Sequence, residues 1–241
     1  MTVVIVRDAE VADVQQIVGL DARCYGEITE YQTDDPSGMF TERIRNAPGY
    51  FWIAEVNGVV EGLLSCQPTV LRPELFDSWE QCTGNGTFAG TLDLNSPVVY
   101  VAALTVSPVG SSLGITDRLL IHALGIGIER GKNLAFFSAR MPGYHRYADH
   151  MSAEAYASAR RVRRGADVAL DPQIRFYEQL GLKKHRVVEN GFVADWKSCG
   201  YAVLFTAPIP FYRWPGKKVW AAVFRAVAVR PRLFAFCNRY F

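Results

Sequence analysis

The stretch 98–116 constrains this chain most. A β-rich run, VVYVAALTV, stops at Ser107-Pro108 and gives way to a small-residue turn, Gly110-Ser111-Ser112-Leu113-Gly114-Ile115-Thr116. The turn opens an apolar-periodic segment, TDRLLIHALGIGIERG. A strand that feeds a glycine-containing turn into a helix is an α/β unit, and that layering is what the rest of the chain must accommodate. The same arrangement makes an anion site, because the free N–H groups of the helix start and the helix dipole both point at whatever the turn encloses. A second signature follows, Phe176-Tyr177-Glu178-Gln179-Leu180-Gly181-Leu182. Its Gly181 sits where a helix end needs positive φ before a new strand begins.

With 241 residues, 49% hydrophobic and 21% charged, the chain suits one ample α/β domain with appendages. No run approaches the ~18 apolar residues of a membrane span, and MTVVIVRDAE lacks the charged start and cleavage site of a signal peptide. The cysteines at 24, 66, 82, 199 and 237 are scattered without CxxC spacing, which reads as reduced thiols in a cytoplasmic protein. Four histidines with no HExxH spacing predict no metal. Of 26 Lys and Arg, seven fall from Arg213 onward, where there is no Asp or Glu, so the preceding body carries 19 basic against 24 acidic residues. A second basic cluster is Arg160-Arg161-Val162-Arg163-Arg164.

Along the chain, TVVIVR reads as a strand, with Asp8 capping the helix that follows. A short second helix is expected near MFTERIRNA, and Asn57-Gly58 between two β-rich runs predicts a type I′ hairpin. Residues 70–97 form a long irregular connection, expected to be either functional or mobile. Strand 98–106, helix 115–130 and strand 134–140 follow. A longer excursion over 141–172 then includes SAEAYASARRVRR as a helix capped by Ser152. Helix 172–180 and two closing strands complete the pattern, with Pro208 and Pro210 marking its end.

This order, β–α–(α)–β–β–β–α–β–α–β–β with both motifs in place, resembles the GNAT-type N-acetyltransferases over roughly residues 1–208. The resemblance implies an α/β (α+β) fold. Its sheet would be mixed and mostly antiparallel, with two central parallel strands splayed apart and helices flanking it. A domain over 1–212 would carry the insertions 70–97 and 141–172, with 213–241 as a basic aromatic tail. The pantetheine arm of acetyl-CoA, here a co-substrate, would lie between strands 98–106 and 134–140, paired with the backbone of Leu104, Thr105 and Val106. Its pyrophosphate would sit on Ser111, Ser112, Leu113, Gly114, Ile115 and Thr116. The family's loop reads Gln/Arg-x-x-Gly-x-Gly/Ala; Ser111 and Thr116 depart from it. The stretch Ser138-Ala139-Arg140-Met141-Pro142-Gly143-Tyr144-His145, with Met151–Tyr156, Asp171-Pro172 and Gly200-Tyr201, is similar to a narrower bacterial group. Many of its members precede a nitrilase-like hydrolase domain, which this chain is expected to lack. A more distant likeness is to GNAT-like domains of polyketide loading modules, which act on malonyl or acetyl thioesters and deliver acyl groups to a carrier protein.

The resemblance makes Tyr177 the donor that protonates the departing thiolate, a role open to a tyrosine with an ordinary pKa of about 10. A backbone N–H near Val106 would polarise the thioester carbonyl. His145, in a Pro-Gly turn after strand 134–140, is a candidate for proton transfer, and Arg140 and Tyr144 are candidates for substrate binding. Arg140 reads equally as a strand-end arginine paired with an acid. The leading reading is acetyl transfer to a small-molecule amine. The alternatives are action on an acyl carrier protein's thioester, with His145 or Thr105 assisting decarboxylation or S-acyl transfer, and a non-catalytic acyl-CoA-binding module. In the tail, Val219, Trp220, Val223, Phe224 and Val227 recur at helical spacing, predicting a helix over 217–229 that buries Trp220 and Phe224. Its partner would be the protein's own body, a second subunit in a homodimer, or an anionic membrane. No nucleic-acid module accompanies the charge, so none is expected as partner.

Overall fold

The computed structural model describes residues 2–25 and 33–230. Seven strands form one sheet in the order β1-β2-β3-β4-β5-β9-β8: β1 Val4–Asp8, β2 Phe51–Val56, β3 Val59–Pro68, β4 Val98–Val106, β5 Leu134–Arg140, β8 Lys183–Val188 and β9 Ala202–Pro208. Every neighbouring pair is antiparallel except β4 and β5. The β2–β3 turn is the expected one, with Asn57 at φ 52° and Gly58 at φ 82°. No helix among the described residues is long and apolar enough to cross a membrane.

Side-chain alternation assigns the helices to two faces. Phe51 meets Phe40 of α2 (Pro36–Asn46), whereas its neighbour Trp52 meets His122 of α5 (Ile115–Glu129), ring centroids 6.0 and 5.7 Å apart. Helices α1 (Val14–Tyr25), α2 and α3 (Trp79–Thr83) therefore cover one face, and α5 and α7 (Pro172–Gln179) the other. The buried His122 has its pKa pushed down to about 4, chiefly by burial.

Several local expectations give way to specific competitors. Asp8 does not cap α1, because it pairs with Trp52 in the sheet. A 3-10 turn, Val11–Asp13, intervenes, capped by Glu10, and Asp13 binds Arg7 through two 2.7 Å hydrogen bonds. Helix α6 stops at Ser158 (Ala153–Ser158), and the basic cluster forms an exposed hairpin, β6 Arg160–Arg163 and β7 Ala166–Ala169, turning on Arg164 and Gly165 at positive φ. All four β6 residues are exposed, and Arg160 finds Glu178 at 2.7 Å. The 70–97 connection is packed: Phe76, Trp79 and Phe88 are buried, and Arg43 donates to Gly86 O (2.7 Å) among the rings of Phe40, Trp79 and Phe88.

The tail helix, α8 Lys217–Val229, has the expected bounds, but a different face is buried. Ala221, Val227 and Ala228 turn inward, Phe224 is half-buried, and Trp220 is 39% exposed. The reason lies in α5, where Gly125 lets the helices approach so closely that a Cβ there would stand 2.9 Å from Phe224 Cβ and 3.3 Å from Ala221 O. Ala221, Val227 and Ala228 make the contact with Phe224 at its edge, and Trp220, Val219 and Val223 stay outside. Arg118 donates to Ala228 O (2.7 Å), and Arg225 pairs with Glu129. Gly125→Val should therefore pry α8 off α5 and cost about 1–3 kcal/mol in a denaturant titration. Truncation after Pro210 should likewise lower the melting temperature. The segment after Pro231 and Cys237 lie outside the described residues. Cys24, Cys66, Cys82 and Cys199 are free thiols.

Candidate functional site

Strands β4 and β5 pair over only three positions, Val98–Tyr100 with Leu134–Phe136, and then part. A β-bulge in β4 lies at the parting point: Val101 opposes Cys66 and Ala103 opposes Ser65, with Ala102 between them. An extra residue bends its strand and increases its twist, which carries β4 away from β5. Ala102 O accepts from Trp79 Nε1 (3.0 Å), so the packed 70–97 connection holds the bulge in place. Beyond Tyr100 the β4 edge facing β5 has no strand partner among the described residues.

The resulting cleft is lined by Val101–Leu104 of β4, Phe137, Ser138 and Arg140 of β5, Tyr25 of α1, Leu120 of α5, and Gln173 and Tyr177 of α7. Because α1 lies on one face of the sheet and α5 and α7 on the other, the cleft is a slot through the sheet. Asp171 positions α7 by accepting from Gln173 N (2.8 Å) and Ile174 N (3.2 Å) at its start. Tyr177 then packs on Phe137 and Phe205, ring centroids 4.6 and 5.3 Å away. Gly181, at φ 76°, ends this segment as anticipated. Gln173 Oε1 is buried without a hydrogen-bond partner. Such an acceptor suits an amide N–H of a bound ligand.

At the α5 end, the expected open turn is partly helical. Residues Pro108–Ser112 form the short helix α4, and Gly114, at φ 68°, caps α5. The N–H groups of Ser111, Leu113 and Gly114 already donate to Ser107 O, Gly110 O and Ser111 O at 2.8–3.2 Å. The first helical bond of α5 runs from Arg118 N to Gly114 O. The N–H groups of Ile115, Thr116 and Asp117 are thereby left for an anion, a narrower set than the whole 111–116 run. Gly62 and Gly110 let this corner sit tight on β3: a Cβ on Gly62 would collide with Ile115 Cγ2, and one on Gly110 would meet Glu61 O at 2.6 Å. Gly114→Val forces a β-branched residue into the left-handed region beside these donors. It should abolish any thermal shift that a pyrophosphate-bearing ligand produces in a titration.

On the opposite face, α1 presents Asp21 and Tyr25, one turn apart. Tyr25 Oη donates to Leu104 O (3.3 Å), and the buried Thr105 donates its hydroxyl to Asp21 Oδ1 (3.4 Å). Burial lifts the Asp21 carboxyl to about 6, against the opposing pull of Arg43 and of the Thr105 hydrogen bond. Asp21 was missed from the sequence because nothing in AEVADVQQIVGLDARCYG separates it from an ordinary helical acid. Its i, i+4 relation to Tyr25 was the available signal.

Three residues singled out from the sequence stand elsewhere or are otherwise engaged. His145 is not among the residues lining the cleft; it belongs to a separate groove, stacks edge-on against Trp196 (5.2 Å) and bonds Lys197 O (3.2 Å). Tyr144 is a core residue between Tyr156 and Tyr201, its hydroxyl donating to Met151 O (3.1 Å). Arg140 reaches the cleft but makes a buried bidentate pair with Asp195, both bonds 2.7 Å. Burial would raise the Asp195 carboxyl, yet Arg140 and Ser198 hold it below the ordinary range. Of Leu104, Thr105 and Val106 at the end of β4, Leu104 alone is on the cleft wall. Among the described residues no His/Cys/Asp/Glu cluster could hold a metal ion.

Known proteins share this architecture. The loading GNATL domain of CurA from Lyngbya majuscula superposes with a TM-score of 0.72 at 22% identity, covering 86% of this chain and 98% of that one. This is the GNAT fold. A second GNAT structure, the GphF GNAT-like decarboxylase in complex with isobutyryl-CoA, superposes with a TM-score of 0.63 at 18% identity, covering 85% and 99%. In sequence, the chain is 24% identical over 209 residues to an uncharacterized N-acetyltransferase of Bacillus subtilis, YkwB, covering 86% of this chain and 90% of that protein. It is 22% identical over 203 residues to the probable hydrolase YhcX of the same organism, covering 83% of this chain and 37% of that protein. No family model matches the chain. The likeness to GNAT proteins thus covers most of the chain.

Proposed function

We propose that this protein is an acyl-CoA-dependent N-acetyltransferase that passes the acetyl group of acetyl-CoA to an amine. The observation that carries this reading is the slot through the sheet. Beside it on one face are the unengaged N–H groups of the α5 start, about one turn from the lining residue Leu120; beside it on the other is a carboxylate, Asp21, one turn from the lining residue Tyr25 and with its pKa lifted to about 6. A pyrophosphate suits the first, and an ammonium that must lose a proton suits the second. A pantetheine arm, running between them, would find the unpaired β4 edge and Gln173 Oε1.

In this scheme Asp21 takes the proton of the incoming ammonium and the amine nitrogen attacks the thioester carbonyl. The C–N bond forms as the C–S bond breaks, and Tyr177 protonates the departing thiolate. The nitrogen's second proton, shed as the amide forms, returns through solvent to the Tyr177 phenolate, and solvent accepts the proton held by Asp21. The test is direct. Coenzyme A or acetyl-CoA at 100 times its Kd should add about 2.7 kcal/mol of stability, and amines should release free thiol from acetyl-CoA. No stabilisation at millimolar coenzyme A would overturn the proposal.

A second reading is favoured by the superposed loading domain and decarboxylase: action on a malonyl or acetyl thioester, with delivery to an acyl carrier protein. Thr105, buried and donating its hydroxyl to Asp21, is not on the cleft wall and does not supply the donor that reading needs. Mass spectrometry separates the two. Loss of carbon dioxide from malonyl-CoA supports the second reading, whereas intact malonyl-CoA beside acetyl transfer to amines rejects it.

A further inference from the structure

Helix α8 presents its larger apolar residues to solvent. Val219, Trp220 and Val223 are 66%, 39% and 44% exposed, and Phe211 and Trp214 extend the same surface at 39% and 49%. The three rings form one cluster: Phe211 to Trp214 4.3 Å, Trp214 to Trp220 6.0 Å, Phe211 to Trp220 6.4 Å between centroids. Packing against the body does not explain them, because the Gly125 contact has already chosen the small-residue face. Scattered surface apolar residues are ordinary, but a contiguous aromatic cluster is a contact surface.

What it fits follows from charge. Arg213, Lys217 and Lys218 flank the cluster, and no acidic residue occurs from Arg213 onward. A second copy of this surface would set cation against cation, which disfavours self-association. Tryptophans beside lysines and arginines match a lipid headgroup region: the rings enter the acyl boundary while the long cationic side chains reach phosphate. We infer that Phe211, Trp214, Val219, Trp220 and Val223 dock on an anionic lipid surface. The body before Arg213 carries more acidic than basic residues, so the one-signed α8 side is the side such a surface draws toward it, and the exposed Arg160–Arg163 strand is a basic cluster outside it.

Sedimentation of the full chain with phosphatidylcholine vesicles, with and without phosphatidylserine, tests this. Binding is expected only with the anionic lipid, weakening as salt rises, with a blue shift of tryptophan emission. The double variant Trp214→Ala/Trp220→Ala and the double variant Lys217→Glu/Lys218→Glu should each lower vesicle affinity by about tenfold or more. Both should keep the wild-type circular dichroism and thermal response to coenzyme A. Absence of binding to phosphatidylserine vesicles overturns the inference, as does equal binding by wild type and both variants. So does a cluster variant that changes the oligomeric mass, or binding to an acyl carrier protein, without changing vesicle binding.

Discussion

Tyr177→Phe is expected to lower kcat for acetyl transfer by about 10²–10⁴-fold, the range for loss of a positioned proton donor, while leaving coenzyme A affinity near wild type. The substitution isolates the hydroxyl. A phenylalanine ring keeps the packing on Phe137 and Phe205, at 4.6 and 5.3 Å, so the wall of the slot stays in place. Without the hydroxyl, the thiolate must leave unprotonated or wait for water. Single-turnover kinetics with acetyl-CoA and an excess of amine would read the chemical step. An unchanged rate would assign Tyr177 a packing role only.

Asp21→Asn should lower kcat/KM by about 10²-fold or more and, unusually for an active-site change, stabilise the fold. Wild-type kcat/KM should rise with pH through about 6, as Asp21 ionises, and the variant should lose that limb. The stability effect follows from linkage. The folded carboxyl sits at about 6, above its ordinary 3.8, so the folded state pays for the buried charge in full above pH 6 and is relieved as pH falls toward 3.8. Asparagine removes a cost of up to about 3 kcal/mol at neutral pH. His122 works in the opposite sense. Its folded pKa of about 4 lies below 6.5, so stability present above pH 6.5 is lost as pH falls toward 4. The two nearly offset each other in wild type. Melting temperatures should therefore change little between pH 6.5 and 4 in wild type but fall steeply in the Asp21→Asn variant. Parallel pH profiles for the two proteins would refute the assignment.

Much of this fold could be read from local signals. Asn57-Gly58, the apolar run of β4 and Gly181 each act within a few residues, and each does in the structure what its chemistry dictates. What could not be read was set by contacts distant in sequence. The choice of buried face on α8 depends on Gly125, roughly a hundred residues earlier, and the capping of α1 depends on Asp8 pairing with Trp52. The site divides in the same way. The α5 start is a contiguous motif, and its place was legible. Asp21 becomes a candidate base only when Thr105 and the sheet bury it, and His145 looked well placed only because it follows β5 in the chain.

The three-residue seam between β4 and β5 has a mechanical consequence. Residues 4–106 and 134–208 each build their own set of adjoining antiparallel strands, so the sheet is two panels joined along one short edge. A molecule seated in the slot would act as a strut, bridging the panels where the backbone does not. Occupancy should then slow amide hydrogen exchange along Val101–Val106 and Phe137–Arg140 together, on both sides of the gap, while the outer strands β1 and β8 exchange as before.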